Sequence, residues 1–292
     1  MDEFKIKDLI NWSQNKNINP LTGRRIKTNG PMYIKLKKYY ELVKHKTYGM
    51  YSIGPKMEDR IVFQNGRNIF AGVYDGHGGN LTSEFIKQNI VSIYSSIQRS
   101  SIPEKLELTY QKLEQEFFNY FKMIHGRDMS GSTACTLLLT PNTIYIANTG
   151  DSRCIISEQG NALAMTVDHK PNEQVEYQRI KENKEKLTYT GVYRIGGLAV
   201  SRVIGDFHIK KDTKSVIYRP DIFMAKRNEY QEFILLATDG LYDVMTNQEI
   251  VNFVHKQMKT TYDLDIISKR LVEYSIKVKK SFDDVSVVII LL

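Results

Sequence analysis

The stretch FAGVYDGHGG, residues 70–79, decides which fold and chemistry are expected of this chain. An apolar run over Phe70–Tyr74 ends in an acid, Asp75, which is followed by Gly76 and His77. A carboxylate, an accessible carbonyl and an imidazole therefore meet at one predicted strand tip, which suits metal-assisted phosphate chemistry. Because Asp-Gly after a strand is usually a plain turn, this stretch alone does not decide between the two interpretations.

The same pattern of acids at strand ends recurs along the chain. Asp239 ends a second apolar run, Asp283 and Asp284 precede a third, and Glu58 and Asp59 precede a fourth. Strands of one sheet can bring distant tips together, and massed carboxylates must be paired or bound to metal. Oxygen ligands favour hard cations such as Mg²⁺ or Mn²⁺, so the pattern predicts a dinuclear metal site.

The length and the charge distribution of the chain indicate how many domains it has and where its basic residues lie. Its 292 residues allow one large domain with an appendage. The net charge of +8 is concentrated in residues 1–50, which carry eleven Lys and Arg against four acids. Such a basic segment can bind nucleic acid or an acidic partner, or can simply be a solvated face, and charge alone leaves these open.

The two cysteines and the N-terminus indicate the compartment. Cys135 and Cys154 both lie in apolar runs, which predicts buried free thiols in a reducing environment and neither a disulfide scaffold nor a zinc site. We find no signal-peptide pattern and no stretch apolar enough to cross a membrane. A soluble, intracellular protein without membrane contact is expected.

A pass along the chain predicts an α+β fold. A loop-rich segment with a short helix at 33–42 ends near residue 46. Beyond it, apolar periodicity and turn residues predict strands at 47–53, 60–65, 69–74, 133–140, 143–148, 152–157, 161–167, 197–200, 222–226, 232–238 and 284–291, and helices at 80–97, 103–125, 171–184, 246–258 and 263–278. Adjacent hairpins and paired helices favour an antiparallel β-sandwich flanked by helices on both outer faces.

Residues 47–292 resemble the metal-dependent protein serine/threonine phosphatases of type 2C. The matching runs follow the family's order: KMED (56–59), GVYDGHGG (72–79), GSTA (131–134), NTGDSR (148–153), DHKP (168–171), LAVSR (198–202), GDF (205–207), ATDGLYDV (237–244) and DDVSV (283–287). Each run is weak alone, but the set is specific. The resemblance implies a central β-sandwich with two metal ions at one end, and hydrolysis of phosphoserine and phosphothreonine in phosphoprotein substrates.

The resemblance also implies roles for the acids. Asp75 would bridge two ions, Mg²⁺ or Mn²⁺, and Gly76 would offer its carbonyl. Asp239 and Asp283 would hold one ion, and Glu58 would reach the other directly or through water.

The remaining implied roles concern the surroundings of these ligands. Asp59 would support them, while Asp168 and Asp243 match positions linked to a weaker third ion. His77 matches the general acid that protonates the departing serine or threonine oxygen, after a metal-activated water attacks phosphorus in line.

One position departs from the family pattern. The arginine that grips the substrate phosphate, three residues before Met57, is replaced by Gly54. Lys56 either substitutes for it in part or is a plain surface lysine, and the sequence leaves both open. Because lysine lacks the bidentate fork of arginine, we expect an active enzyme with a raised Michaelis constant.

Residues 1–46 have a resemblance of their own, to the two-cysteine adaptor module of large DNA viruses. It rests on Trp12, NPLTGR (19–24) and YIKL (33–36). The module's two cysteines are absent, and Leu9 and a residue near Tyr40 stand about where they would fall. The resemblance implies a viral protein in the cytoplasm of an infected cell. An acidic partner, or a viral or host protein, is expected to bind this basic segment.

Two alternatives to a phosphatase are compatible with parts of the sequence. The first is a non-catalytic protein that keeps the phosphatase fold and docks partners through residues 1–46, and Gly54 favours it. The second is a metallohydrolase directed at nucleic acid, which the nearly balanced charge of the main body disfavours.

Overall fold

The computed structural model of the protein describes residues 8–9, 12, 15–43, 48–99, 101–261 and 263–292. The strands are β1 (Tyr48–Ile53), β2 (Arg60–Asn65), β3 (Ile69–Tyr74), β4 (Gly76–His77), β5 (Gly131–Ser132), β6 (Ala134–Leu139), β7 (Thr143–Thr149), β8 (Arg153–Glu158), β9 (Asn161–Ala164), β10 (Thr188–Tyr189), β11 (Tyr193–Arg194), β12 (Ile204–Gly205), β13 (Asp221–Lys226), β14 (Gln231–Ala237) and β15 (Val285–Leu291). The helices are α1 (Pro31–Val43), α2 (Leu81–Ser96), α3 (Ile102–Met123), α4 (Gln174–Glu182), α5 (Phe207–Lys210), α6 (Asp239–Tyr242), α7 (Asn247–Met258) and α8 (Leu264–Lys277).

Most strands belong to two five-stranded antiparallel sheets. Sheet A has the order β13-β7-β6-β3-β2, and sheet B has the order β1-β15-β14-β8-β9. Tight turns set the registers: Gln159 and Gly160, both with positive φ, connect β8 to β9. Such a two-residue turn matches the twist of a hairpin.

The sheets pack face to face through apolar side chains, among them Val73, Leu137, Ile156, Leu236 and Val288. The outer faces are covered too, so the central strands are buried on both sides and read as continuous apolar runs. Helices α2 and α3 cover sheet A, and helices α7 and α8 cover sheet B. The predicted α+β sandwich with helices on both outer faces is confirmed.

Local elements differ from prediction beside the sandwich. The strand predicted at 197–200 is wrong, because Gly196 and Gly197 adopt positive φ values of 57° and 92° and the chain reverses between Ile195 and Leu198. Five short strands lie outside the predicted set: β10 pairs with β11, and β4, β5 and β12 form a small sheet of their own. This sheet carries His77.

The N-terminal residues that the structure describes have a small apolar cluster of their own. Leu9, Trp12 and Leu36 are buried together, and Ile26 packs against them. The predicted helix at 33–42 is observed as α1, whereas residues 1–7, 10, 11, 13, 14 and 44–47 lie outside the described residues.

Two further predictions concern thiols and membranes. Cys135 and Cys154 are free and buried between the sheets. Among the described residues, no helix combines the length and the apolar character needed to cross a membrane.

Candidate metal centre

Asp75 is positioned by the end of β3. Its backbone N–H donates to Oγ1 of Thr133 at 3.2 Å, and its carbonyl accepts from the Thr133 N–H at 2.9 Å. The next residue must be glycine, since a Cβ at Gly76 would lie 2.5 Å from the carbonyl oxygen of Glu58. The backbone at Gly76 is therefore pressed against the turn that carries Glu58.

Three carboxylates from three different strand ends converge. Oxygens of Asp75, Asp151 and Asp239 all lie within 4.8 Å of one another. Burial, with the charge of Asp239, raises the pKa of Asp75 well above its ordinary value. Burial, with the charge of Asp151, raises the pKa of Asp239 to about 8. Buried oxygens that repel one another in this way fit a hard divalent cation, which would relieve the repulsion.

The turn at 57–59 supplies two more acids. Glu58 Oε1 accepts from the Gly79 N–H at 2.6 Å. Asp59 Oδ2 accepts from the Thr238 hydroxyl at 2.8 Å, whereas its buried Oδ1 has no hydrogen-bond partner. Burial raises the pKa of Asp59 to about 7. Asp59 Oδ1 is therefore a buried acceptor beside the three carboxylates, and a water bound to a metal ion could donate a hydrogen bond to it.

Asp283 lies at the rim of the centre, outside the group of three. Its carboxylate contacts Lys56 Nζ at 2.8 Å and accepts from the Asp284 N–H at 2.7 Å. Its charge helps to raise the pKa values of Asp59 and Asp243, behind the larger effect of their burial. The structure therefore brings Asp283 near the other acids and gives it a lysine as partner.

The packing of the turn explains why position 54 is a glycine. A Cβ at this position would lie 2.1 Å from Oδ1 of Asp284, which accepts from the Lys56 N–H at 2.9 Å. Asp284 also accepts from the Glu58 N–H, at 2.7 Å, so one carboxylate clamps the whole turn. An arginine at position 54 does not fit this turn.

The two residues predicted for a third ion differ in their surroundings. Both oxygens of Asp168 accept from the Arg153 guanidinium, at 3.0 and 2.8 Å, so an ion pair already balances the charge of this carboxylate. Asp243 keeps a raised pKa, because of its burial and the charges of Asp151 and Asp283. The acid that joins Asp75 and Asp239 is Asp151, which the sequence analysis missed. Its signal was present, since Gly150-Asp151 also follows an apolar run.

His77 is held by a second residue that the sequence analysis missed. Its Nε2 lies 2.6 Å from Oδ2 of the buried Asp206. Burial alone would lower the pKa of His77, but the hydrogen bond with Asp206 and the negative charges of Asp206, Asp151 and Glu58 together raise the pKa. Both side chains lie against Gly131, where an added Cβ would be 2.0 Å from Asp206 Oδ2. The run GDF at 205–207 was noted, without a role for its acid.

Comparisons with known proteins identify the family of the chain. The model of the family Protein phosphatase 2C matches residues 42–282, and that of the 2-cysteine adaptor domain matches residues 10–39. The chain is 35% identical over 237 residues to "Probable protein phosphatase 2C 45" of Oryza sativa subsp. japonica, covering 80% of each. It is 38% identical over 200 residues to "Probable protein phosphatase 2C 7" of the same plant, covering 66% of this chain and 50% of that protein. A crystal structure of a phosphatase from Toxoplasma gondii shares the fold, with a TM-score of 0.71 at 20% identity over 82% of this chain and 90% of that one.

The chain belongs to the protein phosphatase 2C family, whose members are metal-dependent protein serine/threonine phosphatases. Both predicted resemblances, for the main body and for the N-terminal segment, are confirmed. The enzyme class predicted from the sequence is confirmed as well.

Proposed function

We propose that the chain hydrolyses phosphoserine and phosphothreonine in proteins with a water molecule activated by two divalent ions, Mg²⁺ or Mn²⁺. The observation that carries this proposal is the convergence of Asp75, Asp151 and Asp239 within 4.8 Å. Ions bound there would lower the pKa of water and neutralise charge on the phosphoryl oxygens.

The residues proposed to hold the two ions keep the roles predicted from the sequence. Asp75 and the Gly76 carbonyl, Asp239, Asp283 and Glu58 are the ligands, and Asp59 supports them. For a third ion, Asp151 with Asp243 is favoured over Asp168, because Arg153 occupies both oxygens of Asp168 whereas Lys170 contacts only one oxygen of Asp151.

Two side chains of the centre act on the substrate itself. His77, oriented by Asp206, donates a proton to the serine or threonine oxygen as it leaves. Lys56 stands at the rim and supplies the positive charge that an arginine gives in other members of the family. As a point charge without a fork, it binds the phosphate more weakly.

The biological setting follows from the N-terminal match. We propose a viral phosphatase that acts in the cytoplasm of an infected cell, with residues 1–46 as an adaptor for an acidic viral or host protein and residues 47–292 as the catalytic domain. The separate apolar cluster of Leu9, Trp12 and Leu36 supports this division. No role in binding nucleic acid is proposed.

The test is turnover of an aryl phosphate and of a phosphothreonine peptide, with and without Mn²⁺ or Mg²⁺. The parent is expected to need the metal, and Asp75→Asn to lose activity by about a hundredfold or more. Asp212→Asn is the matched control, because this exposed acid lies 4.0 Å from Lys211 and takes no part in the centre.

The alternative is a non-catalytic protein that keeps the fold and docks partners through residues 1–46. The observation that favours it is Gly54, since no arginine fits there. Absence of turnover by the parent at every metal concentration would establish the alternative and reject the proposed function.

A further inference from the structure

Two large apolar side chains beside the metal centre are turned towards solvent. Phe282 is 88% exposed, more than any other large apolar side chain among the described residues, and Met57 is 74% exposed. Folding normally buries such side chains, and exposed ones grouped at a site mark a surface that contacts something else.

The two side chains belong to loops that are tied together. Met57 lies between Lys56 and Glu58, and Phe282 precedes Asp283. Lys56 contacts the Asp283 carboxylate at 2.8 Å. Met57 and Phe282 therefore flank the same ion pair, and each is the chain neighbour of a proposed metal ligand.

The backbone of this turn is held in an uncommon conformation. Met57 has a φ of 58°, a left-handed value that side chains other than glycine rarely adopt. The carboxylate of Asp284 fixes the N–H groups on both sides of it, at 2.9 Å for Lys56 and 2.7 Å for Glu58. Such positions concentrate at functional sites, where the surroundings enforce them.

We propose that Met57 and Phe282 form an apolar rim that selects phosphopeptides with a large apolar side chain next to the phosphorylated residue. The proposal rests on the proposed function. A peptide advances about 3.3–3.6 Å per residue when extended. With its phosphoryl group at the acids, an extended peptide is expected to carry its neighbouring residue past Met57 and Phe282, the chain neighbours of Glu58 and Asp283.

Charge favours an apolar neighbour over a basic one. Lys56 neutralises Asp283 at the rim, and Lys280, two residues before Phe282, is exposed. A lysine or arginine beside the phosphorylated residue would meet the like charge of Lys280, whereas an apolar side chain gains contact with both rim residues.

The test uses phosphothreonine peptides that differ in one residue. Leucine, serine or lysine is placed directly before or directly after the phosphothreonine, and a peptide with glycine at both places is the reference. With the full chain and Mn²⁺, leucine on one side is expected to raise kcat/KM about tenfold over serine, the scale of burying one large apolar side chain.

Variants assign this preference to the rim. Phe282→Ala and Met57→Ala are each expected to reduce the leucine-to-serine ratio to about 3 or less, and Phe282→Leu is expected to keep most of it. Tyr230→Ala is the matched control: this aromatic side chain is 53% exposed, at the opposite end of β14 from Asp239, and its loss is expected to leave the ratio unchanged. Thermal melts of all variants confirm that they fold.

The outcomes separate the two proposals. If the parent hydrolyses the glycine reference but shows no preference for leucine, or if Phe282→Ala and Met57→Ala keep the full preference, the rim proposal is rejected and the proposed function stands. If the parent hydrolyses none of the peptides, both fall. A dimer that Phe282→Ala dissociates, together with a ratio near 1, would assign the rim to a second copy of the chain and overturn the proposal.

Discussion

Lys56 illustrates how one residue can serve two partners. Its ammonium group contacts Asp283, a proposed metal ligand, and is also proposed to meet the substrate phosphate. A metal ion bound to Asp283 would compete with Lys56 for the Asp283 carboxylate and weaken this ion pair. Metal binding would therefore free Lys56 for the phosphate, so the two events are coupled through this side chain.

Replacing Lys56 tests that coupling. In Lys56→Met, Asp283 loses its competing cation, and the Kd for Mn²⁺ is expected to fall about three- to tenfold while the KM for a phosphopeptide rises by a similar factor. Calorimetry measures the first quantity and steady-state kinetics the second. Lys211→Met is the control at an exposed lysine 4.0 Å from Asp212. An unchanged Mn²⁺ affinity in Lys56→Met would contradict the coupling.

The second prediction concerns His77, the proposed proton donor. The effect of replacing it is expected to depend on the leaving group of the substrate. His77→Gln is expected to lower kcat about a hundredfold on phosphothreonine, whose oxygen needs a proton to depart. On nitrophenyl phosphate the loss is expected to stay below about tenfold, because nitrophenolate leaves without one. Equal losses on both substrates would argue that His77 serves the fold or the metals instead.

At the scale of elements, helix α4 shows how buried charge fixes a segment beside the sandwich. Glu176 is buried, and its carboxylate contacts Arg202 at 2.6 Å and Arg179 at 2.7 Å and accepts from the Ser201 hydroxyl at 2.5 Å. Burial alone would raise the pKa of Glu176, but these hydrogen bonds lower it to about 2. The helix is thereby tied to the segment at 201–202.

This contact makes stability depend on pH in acid. Because the pKa of Glu176 is lower in the folded than in the unfolded chain, its contribution is complete above the ordinary value of 4.5 and is lost as the pH falls towards 2. Between pH 5 and 2.5 the free energy of unfolding of the parent is expected to fall by about 2 kcal/mol more than that of Glu176→Gln. Denaturant titrations at several pH values measure this, and parallel curves for the two proteins would reject the assignment.

The elements that could be predicted are those with a strong local signal. The run at 69–74 reads as a strand because both of its faces are buried, Phe70 towards the helices and Val73 towards the opposite sheet. Elements of two residues, such as β4, carry no periodicity, and the apolar run at 197–200 gave a false signal because Gly196 and Gly197 turn the chain.

At the scale of the whole molecule, the sequence predicts some of the acids that converge at the candidate site but not all of them. Asp75 and Asp239 follow apolar runs and were found by that rule, and Asp151 obeys the same rule but was passed over. Asp206 could not be assigned to His77, because the two lie far apart in the chain and meet only through the pairing of β4, β5 and β12.

The separate apolar cluster of the N-terminal segment gives a prediction about the intact molecule. Removal of residues 1–46 is expected to change the Tm of the main body by less than about 4 °C, since among the described residues the sandwich cores draw only on positions after 47. Turnover of an aryl phosphate should be retained. A collapse of cooperative unfolding in the shortened chain would show that the segment is part of the catalytic domain.

The burial of the two thiols affects how sensitive this phosphatase is to oxidation by peroxide. Cys135 and Cys154 are fully buried, and burial raises the pKa of both, so neither offers the accessible thiolate that oxidants attack. Phosphatases that use a cysteine nucleophile are silenced when that sulfur becomes a sulfenic acid. A hydrolase built on carboxylates and an imidazole would keep dephosphorylating its targets through an oxidative burst.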